Sequence, residues 1–75
     1  VNFTPRETTV LAAISYGLTN KQIAGHLHIS EATVKNHVSS LLGKTWARDR
    51  AHLVRKGFEL GILTNEPPPE EWITP

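Results

Sequence analysis

Apolar positions recur every three or four residues along this chain, in four separate runs. Val10, Leu11, Ile14 and Leu18 form the first, and Ile23, Ala24 and Leu27 the second. Val34, Val38, Leu41 and Leu42 form the third, and Leu53, Val54, Gly57, Phe58 and Leu60 the fourth. This is the period of helices that bury one face. The punctuation agrees. Thr4-Pro5-Arg6-Glu7 and Thr19-Asn20-Lys21-Gln22 both read as capping boxes, a hydroxyl followed three residues later by Glu or Gln. Ser30 and Asp49 stand where the third and fourth helices need caps, and Gly17 and Gly61 suit left-handed stops. The pattern predicts helices over about residues 5–16, 20–27, 31–45 and 50–60 and no strands. The expected fold is all-α, a small four-helix bundle.

The polar half of the third run is unusual. At 100° per residue, Ala32, Lys35, Asn36, Ser39 and Gly43 lie opposite the apolar stripe, with Thr33, Ser40 and Lys44 on the flank. A solvated helix face commonly carries Glu–Lys pairs one turn apart. This one has no acid after Glu31, and its small residues allow close approach to a partner. The second and third helices are separated by about three residues, the spacing of a helix-turn-helix, and Ala24 lets them cross closely. Gly25 weakens the second helix by about 1 kcal/mol relative to Ala, so packing must hold it. Gly57 predicts close approach by another helix, and Leu53, Val54 and Phe58 are expected in the core. From Thr64 onward the chain is rich in Pro and acid; it reads as an extended tail in which Trp72 packs opportunistically.

Length and composition narrow the possibilities. Seventy-five residues make one small domain that needs well-formed caps to be stable. Without Cys there is neither disulfide nor thiolate metal site. The four His lack metal-ligand spacing, since His26 and His28 straddle a helix end and no HExxH pattern occurs. No nucleophile elbow or phosphate-cradling loop is present, so neither enzyme activity nor a cofactor is expected. All eight basic residues precede position 57, whereas three of the seven acids lie in the tail. Residues 1–63 thus carry a net charge of +4, which favours a polyanionic partner. No stretch has the length of a membrane span or the pattern of a signal peptide, so a soluble, intracellular domain is expected. A first residue Val1 in place of Met suggests a fragment of a longer chain.

Thr4-Pro5-Arg6-Glu7, Gly17 to Ala24, Leu27-His28-Ile29-Ser30, Thr33 to Val38 and Arg48-Asp49-Arg50 together closely resemble the LuxR/NarL-type (GerE-like) helix-turn-helix DNA-binding domain. The resemblance covers roughly residues 3–63. It implies a tetrahelical, winged-helix-like C-terminal effector domain over 1–63, followed by a Pro-rich acidic tail over 64–75. It implies the output domain of a bacterial transcriptional regulator, behind a phosphorylatable receiver or a ligand-sensing domain. Lys35, Asn36 and Ser39 match positions that read base edges in the major groove, and Thr19, Asn20, Lys21, Thr33, His37 and Lys44 match positions that hold the phosphate backbone. The family commonly binds double-stranded DNA as dimers, in several cases through the fourth helix; here that seam would use the edges around His52, Arg55 and Lys56. RNA polymerase is a further expected partner, and the nucleoid-bearing cytoplasm the expected location. Many members have Leu-Gly where this chain has Thr45-Trp46. Thr45 then falls on the buried face and needs a local hydrogen bond, and Trp46 replaces a glycine suited to a left-handed cap. The alternative is a helical protein-interaction module using the same third helix; a sigma-factor-type helix-turn-helix fits the Thr33–His37 run less well.

Overall fold

All four expected helices form within a residue of their expected bounds, as α1 (Pro5–Ser15), α2 (Asn20–Leu27), α3 (Glu31–Thr45) and α4 (Arg50–Glu59). The computed structural model describes residues 2–73. Each helix begins on the residue the sequence singles out. Thr4 Oγ1 accepts from the Glu7 amide at 3.1 Å while Glu7 Oε1 accepts from the Thr4 amide at 2.9 Å. Thr19 and Gln22 make the same reciprocal pair at 3.2 and 2.8 Å. Ser30 accepts from the Thr33 amide at 3.0 Å, and Asp49 from the His52 amide at 2.8 Å. Each such cap contributes about 1 kcal/mol, which matters in a core this small.

The core is the meeting of the four apolar stripes. Val10, Leu11, Ile23, Val34, Leu41 and Leu53 are fully buried, and Leu18 and Leu63 close the ends. α1 packs on α3 and α4, and α2 packs on α3. Thr45 is buried, and its hydroxyl donates to the Leu41 carbonyl at 2.8 Å, the local bond that the sequence required. Trp46 takes the left-handed conformation expected of the missing glycine, with φ +60°.

One expectation is extended and two are corrected. The other helix close to Gly57 is α1, through Leu11, and Leu63 of the returning segment comes closer still. A Cβ at Gly57 would lie 2.6 Å from Leu63 Cδ1 and 3.1 Å from Leu11 Cδ2. Phe58 is 43% exposed, not core. Leu53 and Gly57, one turn apart, point α4 at the core, and Phe58 is rotated a further 100° away from it. Finally, the tail is not simply extended. After Pro67–Pro69 a single turn, α5 (Glu70–Ile73), brings Trp72 against Tyr16 and His26, with ring centroids 5.9 and 6.2 Å apart. Tyr16 Oη donates to the Glu66 carbonyl at 3.0 Å. The proline run blocks a longer helix, and the aromatic contact gives this turn something to pack on. Val1, Thr74 and Pro75, the ends of the expected domain and tail, lie outside the described residues. Among the described residues no helix is long and apolar enough to cross a membrane.

Candidate nucleic-acid interface

The rotation of α3 is fixed from within. Val34 and Leu41 are fully buried and Val38 and Leu42 half-buried, so the opposite side must face outward. Lys35, Asn36 and Ser39 are exposed there, flanked by Ala32 and Gly43. Among the described residues none of the three side chains is taken up by an ion pair or by a hydrogen bond to another residue. Small neighbours leave the helix slender, and a groove about 12 Å wide admits a helix of about that diameter.

The flank is less uniform. Thr33 Oγ1 lies 2.9 Å from Ser30 Oγ and so belongs to the cap of α3. His37 is half-buried. Lys44, expected on the phosphate-holding flank, is instead turned back onto α1. Its Nζ donates to Glu7 Oε1 at 2.7 Å and to the Asn2 carbonyl at 3.0 Å, and stands 5.9 Å over the Phe3 ring. Ser40 donates to the other carboxylate oxygen at 2.5 Å. Glu7 is only 4% exposed. The Lys44 hydrogen bond, aided by those of Ser40 and the Thr4 amide, holds its carboxyl down at about 2 despite burial, which pulls the other way.

At the start of α2, Lys21 is exposed, and the Asn20 and Lys21 amides precede Ile23, whose N–H is the first to donate along the helix, to the Thr19 carbonyl at 2.9 Å. Asn20 is half-buried, and its Oδ1 accepts from Arg50 Nη1 at 2.7 Å. Arg50 Nη2 donates to the Leu18 carbonyl at 2.8 Å. These groups border a shallow hollow of about 730 Å³ whose rim also includes Glu31 and Val54. On α4, His52 Nδ1 accepts from the Arg48 amide at 3.0 Å, and Arg55 pairs with Glu59 at 3.2 Å. Lys56 borders a second hollow of about 460 Å³ with Phe3, Trp46, Leu60 and Ile62.

Two residues carry more than the sequence reading gave them. Glu7 read only as half of a capping box, yet it joins α1 to α3. Arg50 was part of a motif without a role, yet it joins α4 to the α1–α2 corner. A signal for the second was present: an arginine at the first position of a helix sits at the wrong end of the dipole and must find its partner elsewhere.

The model of the family described as bacterial regulatory proteins, luxR family, matches residues 1–56. Over 64 residues the chain is 48% identical to the probable transcriptional regulator ycf29 of Cyanophora paradoxa, covering 85% of this chain and 30% of that protein. It is 45% identical over 62 residues to the transcriptional regulatory protein LnrK of Bacillus subtilis, covering 83% and 28%. It is 44% identical over 62 residues to the response regulator Rre1 of Synechocystis, covering 83% and 27%. The chain thus spans less than a third of the length of these relatives. No solved structure matches it. With the helix-turn-helix of α2 and α3 in place, the chain belongs to the luxR family of bacterial regulatory proteins.

Proposed function

We propose that this domain binds double-stranded DNA sequence-specifically to regulate transcription, with α3 lying in the major groove. The observation that carries the reading is the outward face of α3, a helix locked by a buried stripe. There Lys35, Asn36 and Ser39 stand exposed and, among the described residues, without an ion pair, Glu31 at the helix start being the one acid of α3. Lys35 donates to guanine O6 or N7, Asn36 pairs with an adenine edge, and Ser39 adds a short or water-mediated contact. Thr19, Asn20, Lys21, Thr33 and His37 hold the backbone, aided by the amides that open α2. Lys44 does not join them, because Glu7 already occupies its ammonium.

Two copies read half-sites about one helical turn apart, meeting along the edges of α4 around His52, Arg55 and Lys56. The domain, over residues 1–63, is the output end of a longer regulator in the bacterial cytoplasm that meets RNA polymerase at the promoter. The much greater length of the relatives and the response-regulator name of one of them support this placement. Duplex binding by the 75-residue chain, titrated with salt, tests the reading. Lys35→Ala and Asn36→Ala are each expected to cost about 1–3 kcal/mol on a selected site and to relax preference at one or two base pairs. Lys21→Ala is expected to weaken all sequences similarly and to flatten the salt slope by about one. Equal losses on selected and random DNA for the α3 variants refute direct readout. No duplex affinity even at low salt refutes DNA binding and favours a protein partner for α3.

A further inference from the structure

We infer that Arg50 is a positioning residue for phosphate binding: it sets the orientation of the Asn20 carboxamide and of the α2 N-terminus without touching the nucleic acid itself. The inference rests on the DNA-binding reading above.

Arg50 opens α4, where the helix dipole disfavours a cation, and it makes no ion pair among the described residues. Nothing local to α4 accounts for it. Instead, both terminal nitrogens of its guanidinium reach across to the α1–α2 corner, one to Asn20 Oδ1 at 2.7 Å and one to the Leu18 carbonyl at 2.8 Å. The main packing contacts of α2 are with α3 and α1. The Arg50 fork is therefore the polar link between α4 and the start of α2.

The chemistry of that link is directional. A guanidinium only donates, so it selects the rotamer of Asn20 in which the carbonyl oxygen faces Arg50. The Asn20 amide nitrogen, a donor of two protons, is then left for an outside acceptor, beside the exposed Lys21 and the first amides of α2. Without Arg50 the carboxamide is free to flip and present its oxygen to the phosphate, which is repulsive. Arg50 also leaves its unneutralised charge behind these donors. A lysine in its place supplies charge but not the planar fork that holds two acceptors at once.

The test is duplex binding by the 75-residue chain and its variants, using a sequence selected from a random pool by the chain itself and a duplex of random sequence. Arg50→Lys, Asn20→Ala and the double variant are each titrated with salt, and folding is checked by thermal melting. Arg50→Lys is expected to weaken both duplexes by roughly fivefold to twentyfold with an unchanged salt slope, since the number of phosphates neutralised is preserved. Asn20→Ala is expected to do the same, and the double variant to be no weaker than Asn20→Ala. The Asn20 side-chain amide resonances are expected to broaden or split in Arg50→Lys. Additive losses in the double variant, or wild-type affinity in a folded Arg50→Lys, overturn the positioning role while leaving the DNA reading intact. A salt slope reduced by about one in Arg50→Lys shows a direct phosphate contact and also overturns it. Failure of the unsubstituted chain to bind either duplex overturns the DNA reading, and this role with it.

Discussion

Lys35 and Lys44 stand on the same helix, nine residues apart, and their surroundings give them opposite roles. Lys35 lies exposed on the outward face with no ion-pair partner among the described residues. Lys44 is folded onto α1, hydrogen-bonded to Glu7 and the Asn2 carbonyl and placed over Phe3. The first half of α3 therefore presents its polar groups outward, and the second half uses Ser40 and Lys44 to bind α1. A charge near a proposed interface is not by itself a contact. What decides is whether another element of the fold supplies a counter-charge first, and here α1 supplies Glu7.

The contrast is tested most severely by removing that counter-charge with acid. The Glu7 carboxyl sits at about 2 in the folded chain, against an ordinary 4.5. Both the folded and unfolded chains carry it ionised above about pH 5, so its full contribution to stability is present there. As pH falls, the unfolded chain takes up the proton first, and the contribution is gone once pH passes below the folded value. The loss attributable to this one group is on the order of 3 kcal/mol between about pH 5 and pH 2. Urea denaturation of the wild type and of Glu7→Gln across this range measures it. Glu7→Gln is expected to be less stable at neutral pH and to have a markedly flatter acid limb. Parallel limbs for the two proteins would show that the α1–α3 strut does not carry the acid sensitivity.

Swapping the test onto the lysines separates the halves of α3. Lys44→Met keeps an unbranched aliphatic side chain but removes the ammonium over Phe3 and leaves the Glu7 carboxylate buried with only Ser40 and the Thr4 amide. Because Lys44 is itself 32% exposed in its side chain, water softens the loss. The expected cost is about 2 kcal/mol of stability, with little change in duplex affinity of the folded chain. Lys35→Met is expected to do the reverse, leaving the melting temperature in place and weakening the selected duplex by about 1–3 kcal/mol. Melting curves and duplex titrations on both variants check this, and a stability loss in Lys35→Met or an affinity loss in folded Lys44→Met would erase the distinction between the halves.

The helices and their caps were legible in the sequence because they depend on near neighbours: Thr4 with Glu7, Thr19 with Gln22, the i, i+4 stripes. The exposed face of α3 was legible for the same reason. What lay beyond reach were pairings set by how helices meet. Lys44 finds Glu7 across 37 positions and Arg50 finds Asn20 across 30, and no local pattern names either partner, even where the dipole marks Arg50 as needing one. Phe58 was misplaced because an apolar residue at the edge of a stripe is buried or not depending on how wide the neighbouring helices are. α5 was missed because one turn after three prolines has no period to read; the Tyr16 and His26 rings that Trp72 packs on lie far away in the sequence.

The smallest expected effect lies just beyond Lys44, at the point where α3 stops. Trp46 holds φ +60° and is 86% exposed. Left-handed backbone costs a non-glycine residue about 1–2 kcal/mol, and so exposed a residue recovers little of that by burial. Glycine takes this conformation freely but loses more entropy on folding, a penalty of roughly 0.5–1 kcal/mol. The balance favours Trp46→Gly by about 0.5 kcal/mol, a small rise in melting temperature. Because Lys44 adjoins this turn, a tighter stop also secures the ammonium against Glu7, and the gain should shrink when Trp46→Gly is combined with Lys44→Met. Duplex affinity should stay unchanged in both backgrounds, since the proposed base contacts near Lys35 are set by Val34 and Val38, two to three turns upstream. A stability gain accompanied by altered duplex binding would mean that the two halves of α3 are coupled through the helix, and that the strut with α1 does not insulate the reading face from its own C-terminal end.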